Sequence, residues 1–140
     1  VCTSFKVELL KGVHDFTATT GNTFKIALYT SDATLGASTT AYTTSNEITN
    51  SSGSAYTAAG ATLTSVTPTS SGTTALCDFA DVSYTSASFT ANGALIYNDS
   101  ASGDPAVCAI AFGADKTVTS GTFTIQFPTA DATNAIIRLA

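Results

Sequence analysis

The chain has no tryptophan, no methionine and a single histidine, and only three of its residues are proline. Charge is equally scarce. Lys, Arg, Asp and Glu make up 11% of 140 residues, against roughly 25% in ordinary soluble proteins. So few charges exclude a charge-solvated disordered tail, a coiled coil and a basic nucleic-acid binder. The formal net charge of −5 repels phosphate backbones and anionic bilayer surfaces, so neither nucleic acid nor membrane is an expected partner. No apolar run approaches the ~18–20 residues needed to span a bilayer. The opening VCTSFKVELL shows neither the basic nor the apolar region of a secretory signal.

The missing side chains also limit chemistry. His14 stands alone, and its neighbour Asp15 is not aimed at it by adjacency, so neither a nucleophilic triad nor an imidazole metal centre is expected. His14 reads as a surface or helix-end residue. Cys2, Cys77 and Cys108 are odd in number and far apart, a poor basis for a disulfide framework or a four-ligand zinc site. Cys77 and Cys108 sit inside apolar strand patterns and read as small buried hydrophobes. Glu8 and Glu47, the only glutamates, have no carboxylate close by, so no glycosidase pair is suggested. Asp78 and Asp81, with Asp99, Asp104, Asp115 and Asp131, offer oxygens to a calcium ion. Capping turns at strand ends is the simpler use for them. Asn50-Ser51-Ser52 and Asn98-Asp99-Ser100 match the glycosylation triplet, which arises readily in a Ser- and Thr-rich chain. No EF-hand, P-loop or dinucleotide glycine pattern occurs. The chain reads as non-enzymatic, with no catalytic residue, cofactor or metal.

What the sequence does have is hydroxyl groups and β-formers. Ser and Thr fill about 43 positions and hydrophobic residues 44% of the chain, a composition that favours strands over helices. Phe5 and Leu9 lie four apart, Thr3 or Ser4 offers an N-cap and Gly12 a stop, so one short helix is predicted at about 4–11. From Thr23 the period becomes two, and Phe24, Ile26 and Leu28 share a face. Further strands are predicted at about 61–67, 74–80, 82–90, 93–98, 106–112, 117–127 and 135–139. Turn residues at spacings near ten residues make this an all-β, antiparallel β-sandwich, jelly-roll or Ig-like, of about eight strands in a single domain 1–140. Residues 98–105 read as an exposed hairpin tip. The stretch of about 31–59 is polar, with Tyr42, Ile48 and Tyr56 as its few anchors. It is too long for a hairpin turn. It is either an excursion lying over the sandwich or an arm that orders on another subunit.

Several segments together carry a resemblance: Ser4-Phe5-Lys6-Val7-Glu8-Leu9-Leu10-Lys11-Gly12, Phe24-Lys25-Ile26-Ala27-Leu28-Tyr29, Tyr56-Thr57-Ala58-Ala59-Gly60-Ala61-Thr62-Leu63, Gly93-Ala94-Leu95-Ile96-Tyr97-Asn98 and Phe123-Thr124-Ile125-Gln126-Phe127-Pro128. In this order they resemble a family of small structural proteins of tailed-bacteriophage virions, and the resemblance covers nearly the whole chain. It implies a virion structural protein assembled in the bacterial cytoplasm and located on the capsid surface, with a capsid decoration or cement role as the expectation. The implied partners are the chain itself, as in the trimers common to such proteins, and the major capsid protein. Phe5, Leu9, Leu10, Tyr42, Ile48 and Tyr56 are the expected contact residues, with packing on their own domain as the alternative. Other readings are a phage tail or fibre component, an extracellular filament subunit with 135–140 as a donor strand, and a host-glycan-binding domain using Asn98, Asp99 and Asp104.

Overall fold

A computed structural model describes residues 1–140. Its helix, α1 (Thr3–Leu10), ends because Gly12 adopts φ +70°, a left-handed conformation that glycine enters without steric cost. The N–H groups of Gly12 and Val13 then donate to the Leu9 and Glu8 carbonyls, the paired bonds of a Schellman stop. The N-cap is Cys2 rather than Thr3 or Ser4, and no side chain caps the helix. Phe5 alone of α1 is fully buried. No helix is long and apolar enough to cross a membrane.

The remaining elements are β1 (Phe24–Tyr29), β2 (Ala61–Thr62), β3 (Ser65–Ser71), β4 (Thr74–Phe79), β5 (Val82–Asn98), β6 (Ala106–Ile125) and β7 (Ile137–Leu139). They form two antiparallel sheets, ordered β2-β1-β5-β6 and β3-β4-β7. The fold is therefore all-β and sandwich-like, with seven strands where about eight were expected. The number differs for two reasons. The predicted strand 61–67 divides, its first residues pairing β1 and its later ones β4, so the chain changes sheet at Leu63–Thr64. The predicted pairs 82–90 with 93–98 and 106–112 with 117–127 each run on as one strand, giving a ribbon of 17 and 20 residues.

That ribbon is bent. Phe112 and Phe123 are eleven residues apart on β6, which at ~3.4 Å per residue would separate them by roughly 37 Å in a straight strand. Their ring centroids are 6.3 Å apart. The bend is built from bulges: the β5–β6 register shifts repeatedly between Tyr84 and Gly93, and Ser86, Gly113 and Ser120 take positive φ, as bulged strands do. At Gly93 a Cβ would stand 2.8 Å from the Ile110 carbonyl oxygen, so glycine lets the two strands close there.

One cluster of 25 buried residues forms the core. On the inner face of β1, Phe24 stacks on Phe16 at 4.4 Å and meets Phe79 of the second sheet at 5.7 Å. The outer face of β1 is covered as well, because residues 31–59 lie across it. Ile48 N–H donates to the Leu28 carbonyl, Thr30 N–H to that of Asn46, and the Tyr29 hydroxyl to that of Thr43. In this structure the stretch packs on its own chain, and its only strand pairings are isolated bridges at Ala41 and Glu47.

Candidate interaction surface

Glu47 clips the excursion down. Its carboxylate accepts the Tyr42 and Tyr56 hydroxyls, each at 2.5 Å, and the Ala59 N–H at 2.8 Å. Tyr56 Oη in turn accepts the Leu28 N–H at 3.1 Å, inside β1. Burial, and then the hydrogen bond to the Glu47 carboxylate, hold both phenols well above the usual tyrosine range. Tyr42 also stacks on Tyr97 at 4.7 Å, and the Tyr97 hydroxyl donates to the Ala59 carbonyl. A carboxylate shared by two phenols and a backbone N–H has three of its roughly four acceptor positions taken inside the fold. The cluster is a fastening, and Glu47 is a residue whose role no local pattern announced.

His14 is corrected from a surface or helix-end residue to a buried one. Its Nε2 lies 2.7 Å from Glu8 Oε2 and its Nδ1 3.1 Å from Asn98 Nδ2. Asn98 Oδ1 accepts the N–H groups of Ser100 and Ala101, and Asn98 Nδ2 also donates to Asn22 Oδ1. With the amide so oriented, Asn98 donates to Nδ1 and the proton of a neutral His14 sits on Nε2, facing Glu8. Phe5, Phe16 and Phe24 surround the imidazole. The arrangement ties α1 to the β5–β6 turn. It also corrects the expectation for Asn98, which is fully buried and so is neither an exposed glycan contact nor an accessible glycosylation site in this fold.

The other acidic candidates lie apart and have separate employments. Asp81 caps the Phe127 N–H, Asp78 its neighbour Phe79, Asp115 accepts Asn92 Nδ2 and Asp99 pairs with Lys25 at 3.3 Å. Asp131 accepts from Thr133 and Asn134, bonds that pull its carboxyl down to about 2. Asp104 sits in the β5–β6 turn at φ +47°. No three His, Cys, Asp or Glu side chains are grouped to hold a metal ion. The three cysteines are buried free thiols, and burial pushes Cys77 and Cys108 up to about 12.

Of the six expected contact residues, Phe5, Ile48 and Tyr56 lie in the chain's own core, so their assignment to a subunit contact is corrected: a partner cannot reach them in this conformation. Leu9 and Tyr42 are partly buried against that core. Leu10 alone projects, 92% exposed. The predicted donor segment 135–140 is likewise engaged, since β7 pairs β4 from Ala75 to Cys77.

The surface that stands open is elsewhere. The concave side of the bent ribbon holds a groove of about 620 Å³. Ile110 and Phe112 line one limb of β6, Phe123 the other, and Phe127 and Ile136 of the C-terminal stretch close the far wall. Ten of its fourteen lining residues are hydrophobic and Lys116 is the one charged side chain. β6 is also an edge strand. On its free side the Cys2 N–H donates to the Val107 carbonyl, and from Cys108 to Ile125 no backbone group of β6 bonds backbone outside the ribbon. Unpaired strand edges beside apolar surface are the usual substrate for strand addition. Comparison with protein-family models, with curated proteins and with solved structures finds no match to this chain.

Proposed function

We propose that the chain is a non-enzymatic structural subunit of a tailed-bacteriophage virion, acting as a capsid decoration or cement protein on the outer head surface. The observation that carries the reading is the open apolar groove beside an unpaired strand edge, on a molecule whose charges are few. Such a surface joins a neighbour with little charge to desolvate. The sequence resemblance supplies the virion context, with the major capsid protein and further copies of the chain as partners. A cement subunit adds buried area across seams that internal pressure tends to open, and many symmetry-related copies act together.

The same groove favours one second reading, a filament or tail subunit joined end to end through a strand. Electron microscopy of the source particles separates the two. Density of this chain repeated over the head, bridging shell subunits, is the expected result. Density limited to a tail or a free filament replaces the capsid role with the second reading. Absence of the chain from every particle refutes both.

A further inference from the structure

We infer that the chain cleaves its own backbone between Asp104 and Pro105 in mild acid, with the Asp104 carboxyl as nucleophile and the Tyr42 N–H as donor to the carbonyl under attack. No partner is needed, so the reaction stands apart from the assembly reading above. Three features meet at this one peptide bond. First, of the three prolines only Pro105 follows an aspartate, since Pro68 follows Thr67 and Pro128 follows Phe127. An aspartyl carboxyl reaches its own carbonyl carbon through a five-membered ring, and a prolyl nitrogen, more basic than an ordinary amide nitrogen, leaves more readily. Second, Asp104 is held at φ +47°, where residues other than glycine seldom sit, and a following proline crowds it further. The Asp104 N–H donates to the Ala101 carbonyl at 3.2 Å and the Asn98 N–H to the Pro105 carbonyl at 3.0 Å, which fixes the turn around the bond. Breaking the link to Pro105 relieves that crowding.

Third, the carbonyl to be attacked is already polarised. Asp104 O accepts the Tyr42 N–H at 3.0 Å, and the excursion is fixed there by the bridge of Ala41 with Pro105 and by the Ala106 N–H, which donates to the Thr40 carbonyl at 3.0 Å. A donor set on a carbonyl before reaction stabilises the oxyanion that forms on it. Neither ion pair of the fold involves the Asp104 carboxylate, which is only half-buried. The step balances as a hydrolysis. The protonated carboxyl bonds through oxygen to the Asp104 carbonyl carbon, the C–N bond to Pro105 breaks, and the carboxyl proton goes to the prolyl nitrogen. Water then opens the cyclic anhydride, leaving two carboxyls on Asp104 and a secondary amine on Pro105. Nothing is oxidised or reduced. Tyr42 holds one side of the break, and Thr40 and Asn98 hold the other. The two pieces therefore stay paired as β5 and β6, freed only of their covalent turn.

The test incubates the full chain in a mildly acidic buffer in which circular dichroism shows it folded, and follows intact mass with time. Fragments 1–104 and 105–140 are expected, with the bonds before Pro68 and Pro128 uncut. The same chain unfolded in urea at the same pH is expected to cleave about tenfold more slowly, because it lacks the fixed Tyr42 donor and the held turn. Asp104→Ala removes the nucleophile and Asp104→Glu enlarges the ring it must close; each, checked for folding in the same way, is expected to give no fragments. A folded chain that stays intact overturns the inference. Cleavage no faster in the folded chain than in urea also overturns it, by reducing the bond to an ordinary acid-labile one. Fragments of the same masses from either variant overturn it by assigning the cut to a contaminating protease.

Discussion

Replacing Glu47 with alanine is the sharpest test of how the excursion is held. The change removes one acceptor from three donors: the Tyr42 hydroxyl, the Tyr56 hydroxyl and the Ala59 N–H. Hydrogen bonds to a charged group contribute about 1.5–3 kcal/mol each, but the three do not count alike. Tyr42 is only partly buried and turns to water when its partner is lost. Tyr56 is 1% exposed, so its hydroxyl proton is left without an acceptor while its oxygen still receives the Leu28 N–H. Counting Tyr56 and Ala59 fully and Tyr42 not at all, Glu47→Ala is expected to cost about 3–6 kcal/mol. That is a large share of the ~5–15 kcal/mol by which a domain of this size is stable. Glu47→Gln keeps one good acceptor and is expected to cost about half as much. Urea unfolding followed by circular dichroism reads both values from the midpoint at unchanged slope, and limited proteolysis within residues 31–59 should rise in parallel. A cost below about 1 kcal/mol for Glu47→Ala, or equal costs for the two variants, refutes the account of a shared acceptor.

Four further outcomes follow from the same structure. The Tyr84 hydroxyl is buried without a partner, so Tyr84→Phe should stabilise the protein by about 1 kcal/mol in the same urea assay. Gly60 has φ +89° and a Cβ there would fall 2.0 Å from the Ile26 carbonyl oxygen; Gly60→Ala should cost about 3 kcal/mol or more and displace β2 from β1, read as faster amide exchange at Ala61 and Thr62. Burial holds Tyr29 and Tyr84 up to about 12. Because these folded-state values lie above the unfolded value of about 10, the stabilisation is complete below pH 10 and is lost as pH rises through about 12, so the melting temperature should fall across that window. Cys77 and Cys108, raised by burial to about 12, should resist alkylation by iodoacetamide at pH 8 in the folded protein and react on unfolding.

Much of the local structure could be read directly from the chain. Gly12 stops α1 because the sequence places glycine where a left-handed residue is required. The alternation of Phe24, Ile26 and Leu28 is the inner face of β1, and the turn residues at 98–105 separate β5 from β6. Periodicity works here because it reports which side chains leave water, and a strand gives alternate residues the same fate. It does not report which neighbour covers them. Residues 82–98 therefore looked like two strands, since bulges between Tyr84 and Gly93 shift the alternation and break a period that the backbone ladder carries through.

The groove was hidden for the same reason. Its two limbs, near Ile110 and Phe123, come together only when Gly113 and Ser120 bend β6. The partners of the buried His14 were hidden by separation in sequence, because Glu8 is six residues away and Asn98 eighty-four. Tyr56 shows the limit at a single residue: the sequence marks it as an anchor, yet facing a neighbour or facing Glu47 and Leu28 look identical from composition. By itself the sequence determined the helix stop, the strand-forming stretches, the low charge and hence an all-β chain. The tertiary structure alone decided which faces stay open, because long-range pairing and the bends at a few left-handed residues decide which apolar side chains find partners within the chain.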